Sequence, residues 1–183
     1  MSKNLIRIRP IVFIISGKTG SGKTTFLDQL VKRLQKQSLT VSGFLAKRSG
    51  IEDNRQGYEI HLLDTGKTIP LASREPVKDW IRISNFYFNP EAISRGEKIL
   101  HDPEILNKDL IVIDEIGIFE MEGKIWADSV SHLVSNPDTL MIWVVRDTLL
   151  KKVIDKWNLQ YPVIIDIQKV SIRQAEKRIL SVF

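Results

Sequence analysis

The chain has 183 residues, 43% of them hydrophobic, which is enough for one domain to bury a core without disulfides or structural metals. It contains no cysteine, which excludes a disulfide scaffold and thiolate metal sites and is compatible with a reducing cytoplasm. The net charge of +5 comes from 27 basic residues spread among 22 acidic ones, so we do not expect a nucleic-acid partner.

The basic N-terminal segment lacks the features of a signal peptide. Its apolar residues Leu5, Ile6 and Ile8 are interrupted by arginine, whereas a signal peptide needs a continuous apolar core. The longest apolar runs, near Ile11 and Ile111, are strand-sized and far shorter than the ~20 residues of a membrane-spanning helix. The sequence therefore predicts a cytoplasmic protein without a membrane partner.

A G-x-x-x-x-G-K-[ST] pattern follows the first apolar run. The run covers 11–15, and a helical pattern over 25–36 comes after the glycines. This order is typical of a phosphate-binding P-loop, whose backbone N–H groups surround the phosphates at the positive end of a helix. The residues predicted to bind the nucleotide here are Gly17, Lys18, Thr19, Gly20, Ser21, Gly22, Lys23, Thr24 and Thr25.

Two side chains of the loop have predicted roles of their own. Lys23 is expected to reach the β- and γ-phosphates and to be part of the catalytic set. The Thr24 hydroxyl is expected to ligate Mg²⁺. The loop therefore predicts a nucleoside triphosphate as substrate and Mg²⁺ as cofactor.

The middle of the chain alternates between short β-type segments and polar turns. Two apolar runs flank a turn at 64–67, which predicts a hairpin. Asn89 and Pro90 are typical of a helix cap and a first helical position. The predicted segments are a strand at 40–46, a polar loop at 47–56, hairpin strands at 58–63 and 68–72, an aromatic strand or loop at 82–88 and a helix at 90–101.

From residue 109 onward, strands and helices alternate. The run at 110–113 is apolar throughout, as expected for a parallel strand buried between two helical layers. The predicted elements are strands at 110–114, 140–145 and 163–167 and helices at 123–135, 147–158 and 171–182. We expect one three-layer α/β P-loop domain over 1–183, with a mostly parallel central sheet and a β-hairpin inserted at about 57–88.

Two adjacent carboxylates, Asp114 and Glu115, end the apolar strand, as in a Walker B element. Asp114 is expected to hold Mg²⁺, directly or through a water. Glu115 is expected to orient or deprotonate the water that attacks the γ-phosphate. Because small-molecule kinases more often need that space for the acceptor, the pair favours hydrolysis.

These motifs resemble those of the small P-loop nucleoside-triphosphatase family, which includes thermophile and cancer-related types. The shared blocks are Gly43-Phe44, Arg55-x-Gly57-Tyr58, Leu63-Asp64-Thr65-Gly66, Pro70-Leu71-Ala72, and Ile113-Asp114-Glu115-Ile116-Gly117 with Glu120. The resemblance implies an ASCE-type P-loop fold. It also implies slow, Mg²⁺-dependent hydrolysis of several nucleoside triphosphates, ATP and GTP among them.

The chain is a divergent member at three places. Ala46, Arg48 and Gly50 occupy the positions of the family's threonine, glutamate and arginine, and 143–147 differs from its usual Gly-Thr-Ile. Ile118 stands where a lysine usually follows Asp-Glu-Ile-Gly. Since that lysine could stabilise transition-state charge, its replacement predicts slow basal turnover.

Three arginines are candidates for the missing positive charge. Arg146 ends a predicted parallel strand, where open α/β sheets bind ligands, so it either contacts the nucleotide or pairs with Glu115 or Asp147. Arg55 and Arg48 lie in the predicted polar loop, where each is either an arginine finger or a solvated side chain. Arg55, which matches the family motif, is our catalytic candidate, and Arg146 our nucleotide-binding one.

Two other functions fit the same motifs. A small-molecule kinase would use the hairpin and the aromatic segment as an acceptor site, although the chain lacks an arginine-rich lid. A nucleotide-dependent regulatory or accessory protein would use hydrolysis to reset a binding state, with a protein partner that the sequence does not identify. The three histidines lack ligand spacing, so no zinc site is expected.

Overall fold

The computed structural model describes residues 9–49 and 57–183. Within these ranges the strands form one sheet with helices on both faces. The strands are β1 (Ile11–Gly17), β2 (Val41–Ser49), β3 (Gly57–Leu62), β4 (Thr68–Ser73), β5 (Ile81–Ile83), β6 (Phe86–Phe88), β7 (Leu110–Ile113), β8 (Leu140–Arg146) and β9 (Val163–Asp166). The helices are α1 (Lys23–Lys36), α2 (Pro90–Leu100), α3 (Ile118–Met121), α4 (Ala127–Val134), α5 (Leu150–Lys156) and α6 (Ile172–Leu180), with 3-10 turns at Pro103–Asn107 and Asp147–Leu149.

The part of the sheet built on β1 is parallel. Its order is β9-β1-β8-β7-β2, so β8 separates β1 from β7, as in ASCE-type P-loop folds. Phe13 and Ile15 of β1 belong to the core that includes α1 and α6, whereas Val12 and Ile14 belong to the core on the α2 and α4 side. Because strands that are apolar on both faces need two covering layers, these runs dictate three layers. The predicted three-layer P-loop α/β fold is confirmed.

The rest of the sheet is antiparallel and extends beyond the predicted hairpin. β3 and β4 form that hairpin, and β3 also pairs with β2. The aromatic segment adds a second hairpin, β5 and β6, in which Ser84 has a φ of 55°. β6 pairs with β4, which brings Phe86 and Phe88 alongside the first hairpin.

Several predicted boundaries were wrong. Lys47–Ser49, predicted as loop, continue β2 because they pair with 57–59 of β3, and the remaining predicted loop residues lie outside the described ranges. The helix predicted at 123–135 starts only at Ala127, since Gly123 and Ile125 have φ values of 74° and 54°, and the separate helix α3 precedes it. The helix predicted at 147–158 begins with a 3-10 turn and ends at Lys156.

Within the described residues, 9–49 and 57–183, no helix has both the length and the apolar character that a bilayer span requires.

Gly43 allows β2 to approach β7 closely. Its φ is +106°, and a Cβ there would lie 2.0 Å from the carbonyl oxygen of Val112. We expect Gly43→Ala to lower the free energy of unfolding by about 3 kcal/mol or more, because strand separation adds to the cost of a positive φ. Gly66→Ala is the matched control: its φ is +69°, but a Cβ there meets no atom within 4 Å. Equal losses in urea unfolding for both variants would contradict the close approach.

Candidate active site

The P-loop connects the buried strand β1 to helix α1. Gly20 and Gly22 have φ values of +76° and +89°, which L side chains rarely adopt, and Gly22 caps α1. A Cβ on Gly17 would lie 2.9 Å from the Ser21 Oγ and 3.1 Å from Ile167 Cγ1, so any larger residue at the start of the loop would force these side chains to shift. The backbone can therefore fold tightly at the positive end of a helix, where anions are favoured.

Lys23 folds back over the loop that precedes it. Its side chain is buried, with 6% of the residue exposed, and Nζ donates to the carbonyl oxygens of Gly17 at 3.1 Å and Lys18 at 2.8 Å. Burial lowers the pKa of Lys23, against the opposing attraction of Glu115. The ammonium group is thus held within the loop by two neutral acceptors, which phosphate oxygens could replace.

Asp114 lies just beyond β7 and is 1% exposed. Burial raises its pKa to about 7, although the Thr24 hydroxyl and the Ala46 backbone N–H lie near enough to oppose the rise. Neither contact has the geometry of a hydrogen bond, so both carboxylate oxygens lack a partner among the described residues. A buried carboxylate normally has a donor or a cation beside it.

The oxygens of Asp114 and Thr24 fit a magnesium ion. Mg²⁺ prefers oxygen ligands and is usually bound through one or two carboxylates together with substrate phosphates and water. Within the described ranges, no group of three or more His, Cys, Asp or Glu residues could form a site made of protein side chains alone. The donor set therefore suits a cation shared with a phosphate ligand.

Glu115 and Arg146 form an ion pair across the ends of neighbouring strands. Arg146 Nε and Nη2 donate to the same oxygen, Glu115 Oε1, at 2.8 and 2.7 Å. Arg146 is also the β8 partner of Gly17 in the sheet, so it lies beside the start of the P-loop. The structure thus shows the expected pairing of Arg146 with Glu115. The alternative, a contact between Arg146 and a nucleotide, stays a prediction.

Glu120 is a site residue that residue-by-residue reasoning missed. It is 3% exposed, and its Oε2 accepts a hydrogen bond of 2.8 Å from the Gly117 backbone N–H. This capping-box contact fixes the turn that follows Glu115. The signal in the sequence is the three-residue spacing from Gly117 to Glu120 just before a helix.

Glu120 should make stability depend on pH. Burial raises the pKa of Glu120 from 4.5 to about 7, so the fold disfavours the ionised form. The contribution of Glu120 to the free energy of unfolding is therefore fully present below the pKa of the unfolded state and is lost as pH rises through the pKa of the folded state. Relative to Glu120→Gln, the free energy of unfolding of the parent should fall by on the order of 2 kcal/mol between about pH 5 and about pH 8. Urea unfolding across this range measures the difference, with Glu122→Gln as the exposed control. A pH-independent difference would contradict the prediction.

A cavity of about 580 Å³ joins the P-loop, Glu115, Glu120 and Arg146, whereas the buried Asp114 is not one of its lining residues. One half is lined by the P-loop, Glu115 and Arg146, and the other by apolar and aromatic side chains. Of the predicted phosphate-binding residues, those lining it are Thr19, Gly20, Gly22, Lys23, Thr24 and Thr25, whereas Gly17, Lys18 and Ser21 lie elsewhere in the loop.

The other arginines have different positions. Arg48 belongs to strand β2 rather than to a loop, pairs in register with Tyr58 of β3 and lines the cavity. Its side chain is exposed. Arg55 lies outside the described residues, so its catalytic role stays a prediction.

Comparison with known sequences gives one family over most of the chain. The profile of the NTPase family matches residues 12–179. Nucleoside-triphosphatase THEP1 of Hyperthermus butylicus is 35% identical over 59% of this chain and 57% of its own length. For THEP1 of Sulfolobus acidocaldarius the values are 31%, 63% and 65%. These two alignments thus span less than two thirds of each relative, whereas that with THEP1 of Methanothermobacter thermautotrophicus, at 28% identity, covers 74% of this chain and 77% of the relative.

Two solved structures share the fold. THEP1 from Aquifex aeolicus superposes with a TM-score of 0.68 over 94% of this chain and 97% of its own, at 22% identity. A human cancer-related nucleoside triphosphatase gives a TM-score of 0.70 over 94% and 96%, at 18% identity. At these identities the likeness concerns the chain trace.

Proposed function

Because this chain belongs to the NTPase family, we propose that it hydrolyses nucleoside 5′-triphosphates, including ATP and GTP, to the diphosphate and inorganic phosphate in a slow, Mg²⁺-dependent reaction. The observation that carries the proposal is the convergence of Lys23, Asp114 and Glu115 at one end of the parallel sheet. A cytoplasmic location and the lack of a nucleic-acid partner stay predictions of the sequence.

Lys23 and the loop backbone bind the phosphates. On binding, Nζ exchanges the carbonyl oxygens of Gly17 and Lys18 for anionic phosphate oxygens. Hydrogen bonds between two charged groups are stronger than those to neutral carbonyls, so the exchange favours the bound state. Since Lys23 is already buried, little side-chain freedom is lost.

Thr24 and Asp114 would hold Mg²⁺ beside the phosphates. The ion would supply positive charge that offsets the negative charge of the phosphate oxygens. Asp114 is suited to this because its buried oxygens are not committed to hydrogen bonds within the described part of the chain.

Glu115 acts as the general base toward water. Arg146 directs both of its hydrogen bonds to Oε1, so this ion pair does not use Oε2, which can accept the proton of the attacking water. Arg146 thereby positions the carboxylate. The proton moves to Glu115 as the oxygen of water bonds to the γ-phosphorus, while the bond from that phosphorus to the β–γ bridging oxygen breaks and its electron pair leaves with the nucleoside diphosphate.

Slow turnover follows from the cations at the site. Ile118, which replaces the family's usual lysine, is 54% exposed and lines the cavity without contributing charge. Arg146 is paired with Glu115, so the negative charge of the transition state must be met by Lys23, the metal ion and a further arginine such as Arg55. We propose a basal rate of about 10⁻² s⁻¹ or lower, as for P-loop enzymes without a well-placed arginine finger.

Phosphate release from each common triphosphate tests the proposal. We expect release with Mg²⁺ and none with a chelator, for ATP and GTP at least. Separation of the nucleotides on an anion-exchange column should show equimolar diphosphate. No release from any triphosphate, with or without Mg²⁺, would refute hydrolysis as the function.

A further inference from the structure

We propose that the aromatic half of the cavity is an acceptor subsite, which binds a neutral aromatic alcohol whose hydroxyl takes the γ-phosphoryl group in place of water. The proposal rests on the assignment of Lys23 and Glu115 made above. It adds a second substrate class to the same site, with the chain acting as a phosphotransferase.

The subsite lies on the Glu115 side of the cavity, which favours the nucleophile over the nucleoside as its occupant. In an in-line displacement the nucleophile and the leaving diphosphate lie on opposite sides of the γ-phosphorus. Glu115 follows β7, and the cavity continues from it toward β3, β4 and β6. The segment after β9 packs on the other side of the P-loop, where Ile167 lies against Gly17, and the described residues that line the cavity include none from β9. The aromatic half therefore lies on the side from which a nucleophile enters.

The lining of the subsite is suited to a flat ring. Three partly buried aromatic side chains line it, those of Tyr58, Phe86 and Phe119. Phe88 also lines the cavity but is buried in the core. They are held by one another: the Tyr58 and Phe86 rings lie 5.9 Å apart edge to face, and Phe119 lies 5.1 Å from Phe88 in the same arrangement. Such preformed aromatic walls bind planar groups through edge or offset stacking.

The charged groups of the subsite are largely offset. Glu115 is paired with Arg146 at 2.7 Å and Lys47 with Asp28 at 3.1 Å. Burial raises the pKa of Glu120 to about 7, which disfavours its ionised form. Arg48 is exposed at the rim, and the Arg74 guanidinium lies 5.5 Å from the centre of the Phe86 ring. Because most of these charges are already paired, a neutral alcohol is the acceptor that fits.

The transfer step balances without a further reactant. The hydroxyl oxygen of the acceptor forms a bond to the γ-phosphorus as the bond from that phosphorus to the β–γ bridging oxygen breaks. The hydroxyl proton passes to Glu115, and the electron pair of the broken bond leaves with the nucleoside diphosphate. The products are a phosphate monoester and the diphosphate, and the proton then returns to solvent from Glu115.

Three matched probes test the subsite: benzyl alcohol, its 4-aminomethyl derivative and its 4-carboxylate. Binding is measured by saturation-transfer NMR on the full chain with a non-hydrolysable ATP analogue and Mg²⁺ present. Products from Mg²⁺-ATP are followed by ³¹P NMR. We expect the neutral probe to bind together with the analogue and to yield a phosphate monoester, and the two charged probes to bind more weakly.

Phe86→Leu should weaken binding of the neutral probe by about three- to tenfold, since it keeps apolar volume but removes the ring. Tyr87→Leu, the next residue of β6, does not line the cavity and should leave binding unchanged. Thermal unfolding checks that both variants fold. Displacement of the neutral probe by the ATP analogue, equal binding of either charged probe, or inorganic phosphate as the only product would overturn the proposal. Hydrolysis without ester refutes this subsite alone, whereas ester without hydrolysis refutes the hydrolase assignment alone.

Discussion

Replacement of Glu115 by glutamine is expected to lower the rate of triphosphate hydrolysis by about 10²- to 10⁴-fold while leaving triphosphate affinity nearly unchanged. The amide keeps the shape of the side chain and can still accept a hydrogen bond from Arg146, but it cannot accept the proton of water. Since the contact with the attacking water matters mainly in the transition state, binding and turnover should separate.

Single-turnover phosphate release and calorimetric titration with a non-hydrolysable analogue measure the two quantities for Glu115→Gln. Glu122→Gln is the control, because Glu122 is an exposed acid of the same segment that pairs with Lys124. Hydrolysis at the parental rate in Glu115→Gln would show that Glu115 is structural, in which case its pair with Arg146 would be its main role.

Lys23→Ala is expected to weaken Mg²⁺-triphosphate binding by about 2 to 4 kcal/mol, or roughly 30- to 1,000-fold in Kd, because a charge-assisted contact with phosphate is lost. The fold should persist. Lys23 makes its two hydrogen bonds to the carbonyl oxygens of Gly17 and Lys18 within its own loop, so no contact between distant elements depends on it.

Calorimetry with ATP and GTP measures the affinity of Lys23→Ala, and circular dichroism checks its fold. Lys36→Ala is the matched control, since this lysine is exposed at the C-terminal end of α1, far from the P-loop. Unchanged affinity in Lys23→Ala would refute the assignment of the P-loop.

Much of the fold could be predicted because its signals are local. The uninterrupted apolar run of β1 and the glycines that follow it determine a buried strand, a tight turn and a helix start within a few residues. Asn89 does accept the Glu91 N–H at the start of α2, as its position before Pro90 predicted. The alternation after residue 109 likewise determined the parallel half of the sheet, since each apolar run needs a helix to cover it.

The exact ends of strands and helices could not be predicted from the sequence, because tertiary contacts determine them. Lys47–Ser49 read as loop because they are polar, but pairing with β3 satisfies their backbone groups and extends β2. The second hairpin, β5 and β6, also could not be placed from its aromatic residues alone, because its neighbour β4 decides where it lies.

The sequence by itself determined the family, and it predicted the chemistry of the site from the P-loop and the carboxylate pair Asp114-Glu115. Each depends on residue types at short, fixed spacing. Only the tertiary structure decided that Arg146 pairs with Glu115, from which it is 31 residues distant, and that Glu120 is buried against the turn at Gly117. The tertiary structure also placed the aromatic half of the cavity beside the P-loop. The order of strands in the sheet, and not their separation in sequence, determines which strand ends meet around one cavity.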